Sequence, residues 1–254
     1  MDQAHRQQSY NVRFDWGARG ADAVATGAAM AVVVDVLSFT TTLSVAADAG
    51  TVVWPYPWDD EAAAGYAREH GAVLAVPRED ARPGQVSLSP QSLRRAEPPA
   101  RLVLPSPNGS TIAYQLGSRA GTCVGACLRN AGAVVEWICS KATPVTADVA
   151  VIAAGERWPD GGLRPAVEDL WGAGAVIAGL ADRGWSALSP EAQLAHAGYG
   201  SVRGRERAAL LGCASGRELV AAGYATDVQI AAEVEGSRAV PVLDGQRFIS
   251  ATPN

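Results

Sequence analysis

Residues Met30–Leu37 read MAVVVDVL, apolar at every position except Asp35. A half-exposed strand would alternate apolar and polar residues with period two, so this run reads as a strand buried on both faces. Thr51–Trp54 (TVVW), Ala72–Val76 (AVLAV), Arg101–Pro105 (RLVLP) and Asp148–Ala154 (DVAVIAA) have the same character. Between them lie stretches of helical composition: Thr40–Ala49, Asp59–His70, Ser110–Arg119, Asn130–Ser140 and Glu168–Arg183. Strands alternating with helices predict βαβ units and an α/β fold, its mostly parallel sheet covered on both sides. Ser189–Ala232 reads as wholly helical, and VPVLDGQRFI (Val240–Ile249) as a closing hairpin around Asp244-Gly245. No shift in composition marks a linker. Residues 1–254 therefore read as one α/β domain, with a helical C-terminal subregion over 186–236.

Composition narrows the function classes. The chain has 254 residues, 48% hydrophobic and 19% charged, which suits a folded globular protein and excludes disorder. A net charge of −5 argues against a nucleic-acid binder, which needs a basic surface to neutralise phosphates. Lys141 is the only lysine and follows no G-x4-G, so a P-loop is excluded. Cys123, Cys127, Cys139 and Cys213 lack zinc or disulfide spacing and read as buried reduced thiols. The start MDQAHRQQSY has no basic segment leading into an apolar one, so no secretory signal is expected. The longest apolar stretch, Leu170–Ala181, is well short of the roughly 20 residues of a membrane helix. A soluble, cytoplasmic protein without a membrane partner is expected, and a homodimer is the commonest assembly for such a chain.

Three strand-to-helix junctions carry polar residues where α/β sheets bind ligands, beyond the carboxyl ends of the strands. In VVVDVLSFTTT (Val32–Thr42), Asp35 ends an apolar strand and hydroxyl residues follow it. A carboxylate there is costly unless hydrogen-bonded, paired or bound to metal, so it either ties down the turn or belongs to an anion and metal site. A strand ending in D-x-D-x-T would mark a haloacid dehalogenase phosphatase. Leu37 stands at the second Asp, and that family is excluded. In LPSPNGSTIA (Leu104–Ala113), Asn108-Gly109-Ser110-Thr111 opens a helix, either as an ordinary cap or as an anion cradle whose glycine admits a ligand to the backbone. In Ala153–Leu180, Glu156, Arg157, Asp160, Arg164, Glu168 and Asp169 precede a glycine-rich helix. The adjacent carboxylates either complement the helix dipole or hold a hard divalent cation. Gly172, Gly174 and Gly179 lack dinucleotide-fingerprint spacing and read as helix–sheet packing positions.

In this order, VVVDVLSFTTT, PNGSTIA and GERWPDGGLRPAVEDLWGAGAV resemble the 2-phosphosulfolactate phosphatase family. Asn130 in CLRNAGAV and the tail GRELVAAGYATDVQIAAEVEGSRAVPVL add to the resemblance, which spans roughly Val32 to Val242. It implies a three-layer α/β/α fold and Mg²⁺-dependent hydrolysis of 2-phosphosulfolactate to sulfolactate and phosphate, a step of coenzyme M biosynthesis. Laid on this sequence, it implies Asp35, Glu168 and Asp169 as catalytic residues. Asp35 would be a metal ligand or the nucleophile, Glu168 and Asp169 further metal ligands or a water-activating base. Thr41, Asn108, Gly109, Ser110 and Thr111 would hold the phosphate, and Arg157 and Arg164 the acidic end of a small phosphate ester. Ser38-Phe39 stand where the family carries Arg-Ala, and the 77–90 segment keeps Arg78 and Ser89-Pro90 but has Pro77 and Leu88 for Glu and Asn. These departures bear on substrate recognition, and they keep open a second reading: a non-catalytic binder of a phosphorylated or sulfonated metabolite.

Overall fold

The strand at Met30–Val34 sits well inside a nine-stranded sheet, where Val32 pairs with Val124 on one side and Val151 on the other, both in parallel register. The computed structural model describes residues 3–57, 60–117 and 119–251. The first half of the chain runs β1 (Val12–Trp16), α1 (Gly17–Val24), β2 (Met30–Val34), α2 (Phe39–Asp48), β3 (Val52–Tyr56), α3 (Asp60–Glu69), β4 (Val73–Leu74), α4 (Pro90–Arg95) and β5 (Arg101–Pro105). It continues with α5 (Gly109–Leu116), β6 (Thr122–Ala126), α6 (Ala131–Lys141), β7 (Val149–Ala153), the short pair β8 (Glu156–Arg157) and β9 (Leu163–Arg164), and α7 (Val167–Ala181). The expected helical C-terminal region is α8 (Pro190–Gly200), α9 (Glu206–Gly212), α10 (Ala214–Ala221) and α11 (Ala225–Ala231), closed by the hairpin β10 (Val240–Asp244) and β11 (Arg247–Ala251). The expected helix start at Asp59 lies outside the described residues.

Strand order is β1-β7-β2-β6-β10-β11-β3-β5-β4, with helices on both faces in a three-layer α/β/α arrangement. β2 shows why its sequence is continuously apolar. Val32 and Val34 pack beneath α6, α7 and α8, while Ala31 and Val33 pack beneath α1, α2 and α5. Burying each such valine contributes roughly 1.5–3 kcal/mol, so a polar residue on either face would be costly. The closing hairpin is antiparallel to both neighbours and meets each at one registered pair, Val242–Val124 and Phe248–Val53. Three antiparallel junctions thus separate two parallel half-sheets, which run in opposite directions. The loops that leave the carboxyl ends of β2 and β5 nevertheless meet, where the Gly109 amide donates to Asp35.

β1, β6, α1 and α4 were not expected. β6 (TCVGA) is small and contains a glycine, and β1 (VRFDW) alternates charged with apolar residues because it is an edge strand. Arg13 of β1 is buried against Asp148 and also donates to the Val24 carbonyl. The α7 glycines correct one expectation: only Gly172 faces the sheet, where a Cβ would lie 2.7 Å from Val34 and Val36. Gly174 packs on Ala195 and Tyr199 of α8, and Gly179 on Val135 of α6. All four cysteines are free, with Cys123, Cys127 and Cys213 buried. Among the described residues, no helix is long and apolar enough to cross a membrane.

Candidate active site

Asp35 leaves β2 into a loop that the following threonines lock. Its amide donates to Thr40 Oγ1 (2.9 Å), which donates back to the Asp35 carbonyl (2.7 Å), and Thr41 Oγ1 donates to the Val36 carbonyl (2.7 Å). The Asp35 carboxylate then ties two helices together. Oδ1 accepts from the Phe39 amide at the start of α2 (3.1 Å), and Oδ2 from the Gly109 amide at the start of α5 (2.9 Å). Position 109 must be glycine for this contact, since a Cβ would lie 2.6 Å from Oδ2 and 2.7 Å from the Phe39 ring.

The first turn of α7 adds Glu168 and Asp169, both buried. Asp169 Oδ1 accepts from the Val36 amide (2.7 Å) and Oδ2 from the Gly155 amide (2.8 Å), clipping together the loops that leave β2 and β7. Glu168 lies beside the Cys213 thiol, which burial, and then the Glu168 charge, push up to about 12, so it stays protonated. From β8, Glu156 brings a fourth carboxyl, whose Oε2 accepts from Asn108 Nδ2 (2.9 Å). Asn108 heads α5 but does not cap it; its side chain turns to Glu156 and, through Oδ1, accepts from Arg157 Nε (3.3 Å).

These carboxyls repel one another in a region shielded from water. Burial raises Asp35 above the usual carboxylate range, with the Gly109 and Phe39 amides and Arg78 pulling back. Asp169 is raised well above it, by burial first and then by the charges of Asp35 and Glu168. Burial, Asp35 and Glu168 push Glu156 up to about 7, against Arg164 and the Asn108 bond. Among the described residues no three His, Cys, Asp or Glu side chains form a ready metal cluster. The donors are nevertheless hard oxygens with surplus negative charge. That fits Mg²⁺, which takes one or two carboxylates and completes its shell with water and substrate phosphate.

Two cavities share Glu156 in their walls. The smaller, about 310 Å³, also touches Leu37, Arg78, Glu79, Ser215 and Tyr224. Arg78 donates to Ser38 Oγ (2.5 Å), lies 3.4 Å from Asp227 Oδ2 through Nε and faces the Tyr224 ring at 5.7 Å. Asp227 is fully buried and is itself held by Ser89 Oγ (2.6 Å). Ser38 thus receives a guanidinium from the 77–90 segment, and Asp35 has a cation beside it. The larger cavity, about 500 Å³, is lined by Asn108, Thr111 and Arg157 among others.

The fold gathers Asp35, Glu168, Asp169, Asn108, Gly109 and Arg157 around Glu156. It commits the hydroxyls of Thr41 and Ser110 to the backbone: both residues are fully buried, and Ser110 Oγ donates to the Leu104 carbonyl (2.9 Å) while accepting from the Tyr56 amide (2.6 Å). Thr111 Oγ1 donates to the Ser106 carbonyl (3.1 Å) at the wall of the larger cavity. Arg164 turns aside, with Nη2 3.3 Å from Ser215 Oγ and 3.5 Å from Glu218, beneath the Trp158 ring. Sequence reasoning noticed Glu156 and Arg78 without giving either a role, and it gave Asp227 none. The pattern Gly-Glu-Arg after β7 was the available signal for Glu156; nothing local pointed to the Arg78–Asp227 pair.

The chain matches the model of the 2-phosphosulpholactate phosphatase family over residues 21–246, and it belongs to that family. No curated protein matches it.

Proposed function

We propose, from this membership and the site, that the protein is a Mg²⁺-dependent phosphatase that hydrolyses a small acidic phosphate monoester, 2-phosphosulfolactate being the first candidate. The observation that carries the reading is the convergence of Asp35, Glu168 and Asp169 on Glu156, which lines two cavities edged by arginines. Phosphoryl transfer asks the protein for positioning and charge neutralisation more than for covalent chemistry. Asp35 and Glu168 would hold Mg²⁺, which when bound neutralises charge on the phosphate oxygens. Asp35 and Asp169 both have their two oxygens on backbone amides, so Glu168 would be the main ligand, with Asp35 adding a remaining lone pair and Asp169, which clips two loops together, staying a positioning residue.

Arg78, aimed by Asp227 and Ser38, binds the phosphate in the smaller cavity. Glu156, whose carboxyl in the metal-free protein is pushed up to about 7, sits in the wall of both cavities and is placed to deliver a proton to the ester oxygen as the phosphorus–oxygen bond breaks. Asn108 holds Glu156 in place through one carboxyl oxygen and leaves the other toward the ester. Arg157, in the wall of the larger cavity, meets the acidic end of the released alcohol. Water attacks the phosphorus, yielding alcohol and inorganic phosphate.

Phosphate release from 2-phosphosulfolactate, with Mg²⁺ and then with excess chelator, tests this. Release that stops on chelation and returns with added Mg²⁺ is expected. Thermal stabilisation by the ester without any release would overturn the hydrolase reading in favour of a binder.

A further inference from the structure

The cavity of about 500 Å³ that shares Glu156 with the smaller one is larger than a three-carbon acid needs and falls in the range that encloses far bulkier small molecules. Its walls are apolar: Trp16 at the end of β1, Ile112 of α5 and Leu163 of β9. Leu163 closes one side by packing over Gly17 and Gly155, whose added Cβ atoms would lie 3.2 and 2.7 Å from Leu163 Cδ1. Its cations differ from those elsewhere in the site. Among the described residues ion pairs engage Arg78 and Arg164, but neither Arg19 nor Arg157, which both line this cavity. Arg157 is instead aimed by neutral groups, the Pro107 carbonyl (2.8 Å) and Asn108 Oδ1 (3.3 Å), so its charge is left for a ligand.

Apolar walls with an indole at one end and unneutralised guanidiniums at the mouth recognise an amphipathic anion. Resting on the hydrolase reading, we propose that this cavity receives the alcohol part of the phosphate ester, and that the preferred alcohol is an apolar, aromatic-bodied acid carrying a carboxylate or sulfonate. The ester oxygen then lies at Glu156, with phosphate toward Arg78 and the acid toward Arg19 and Arg157.

The test compares 3-phenyllactate with lactate as product probes by calorimetry, and their O-phosphorylated forms as substrates. Phenyllactate should bind at least about tenfold more tightly than lactate, a difference of about 1.4 kcal/mol. Leu163→Asp should remove that advantage and Arg19→Glu should weaken both acids, each variant at an exposed position, while inorganic phosphate affinity stays within about twofold. Phosphophenyllactate should also exceed phospholactate in kcat/KM. Equal binding of the two acids, an advantage that survives Leu163→Asp, or acid binding unchanged by Arg19→Glu would overturn the proposal. Absence of release from every ester would overturn the hydrolase reading alone, and phenyllactate binding sensitive to Arg19→Glu would then leave the cavity assignment standing.

Discussion

Asp169 and Glu156 belong to the same carboxylate cluster, each raised in pKa by burial and by shared neighbours, yet the chain holds them differently. Asp169 is buried in the first turn of α7, with both oxygens on backbone amides of two different loops. Glu156 stands on a short hairpin outside the main sheet, touches two cavities and is held by one side-chain amide. Asp35 lies nearer the first type and Arg157 nearer the second. A wired carboxylate builds the shape of the site, while one left with spare capacity at an opening is where chemistry can occur. The two kinds are alike in composition and in pKa direction, and their hydrogen-bond partners and access to the cavities separate them.

That contrast fails if the two kinds respond alike to substitution. Asp169→Ala leaves the Val36 and Gly155 amides buried without acceptors, each at about 1–3 kcal/mol, so unfolding free energy in urea should fall by roughly 2–6 kcal/mol. A loss below about 1 kcal/mol would show that these loops hold without the clip. Arg78→Ala should fall on function: kcat/KM for the preferred ester drops about 10²- to 10³-fold, as expected when a phosphate-binding cation is removed. An unchanged kcat/KM would move the phosphate out of the smaller cavity.

A smaller effect is expected from pH. Asp35, Asp169 and Glu156 are all raised in the folded state, so that state holds more protons than the unfolded chain. Stability of the metal-free protein must therefore fall as pH rises, for Glu156 between its ordinary 4.5 and about 7. Thermal melting should show Tm declining by a few degrees across that window, with Mg²⁺ raising Tm more at pH 8 than at pH 5 because it binds the ionised carboxylates. A metal-free Tm that rises with pH would mean that the cluster is already neutralised by something else.

Much of the fold is legible in the sequence. β2, β5 and β7 announce themselves because strands covered on both faces can carry no polar residue, and Asp35 stands out for breaking that rule. β6, with its glycine and small side chains, holds its place by pairing with β2 rather than by propensity. In the site, Asp35, Asn108, Glu168 and Asp169 were visible as polar residues at strand ends. Which hydroxyls face a ligand was not, because Thr41 and Ser110 look identical in sequence whether they bind phosphate or backbone carbonyls. Arg78 and Asp227 meet only because α11 packs on α4, a contact between segments that no spacing encodes.

Replacing Glu156 with Gln tests the account at its centre, because Gln keeps an oxygen for the Asn108 bond and loses only the proton. Phosphate release from the preferred alkyl ester should drop about 10²- to 10⁴-fold, with Tm and Mg²⁺ affinity nearly unchanged. Release from p-nitrophenyl phosphate, whose leaving group departs without a proton, should be largely retained. A Glu156→Gln protein that hydrolyses both esters at the original rate, or loses both equally, would contradict the assignment of Glu156 as the proton donor.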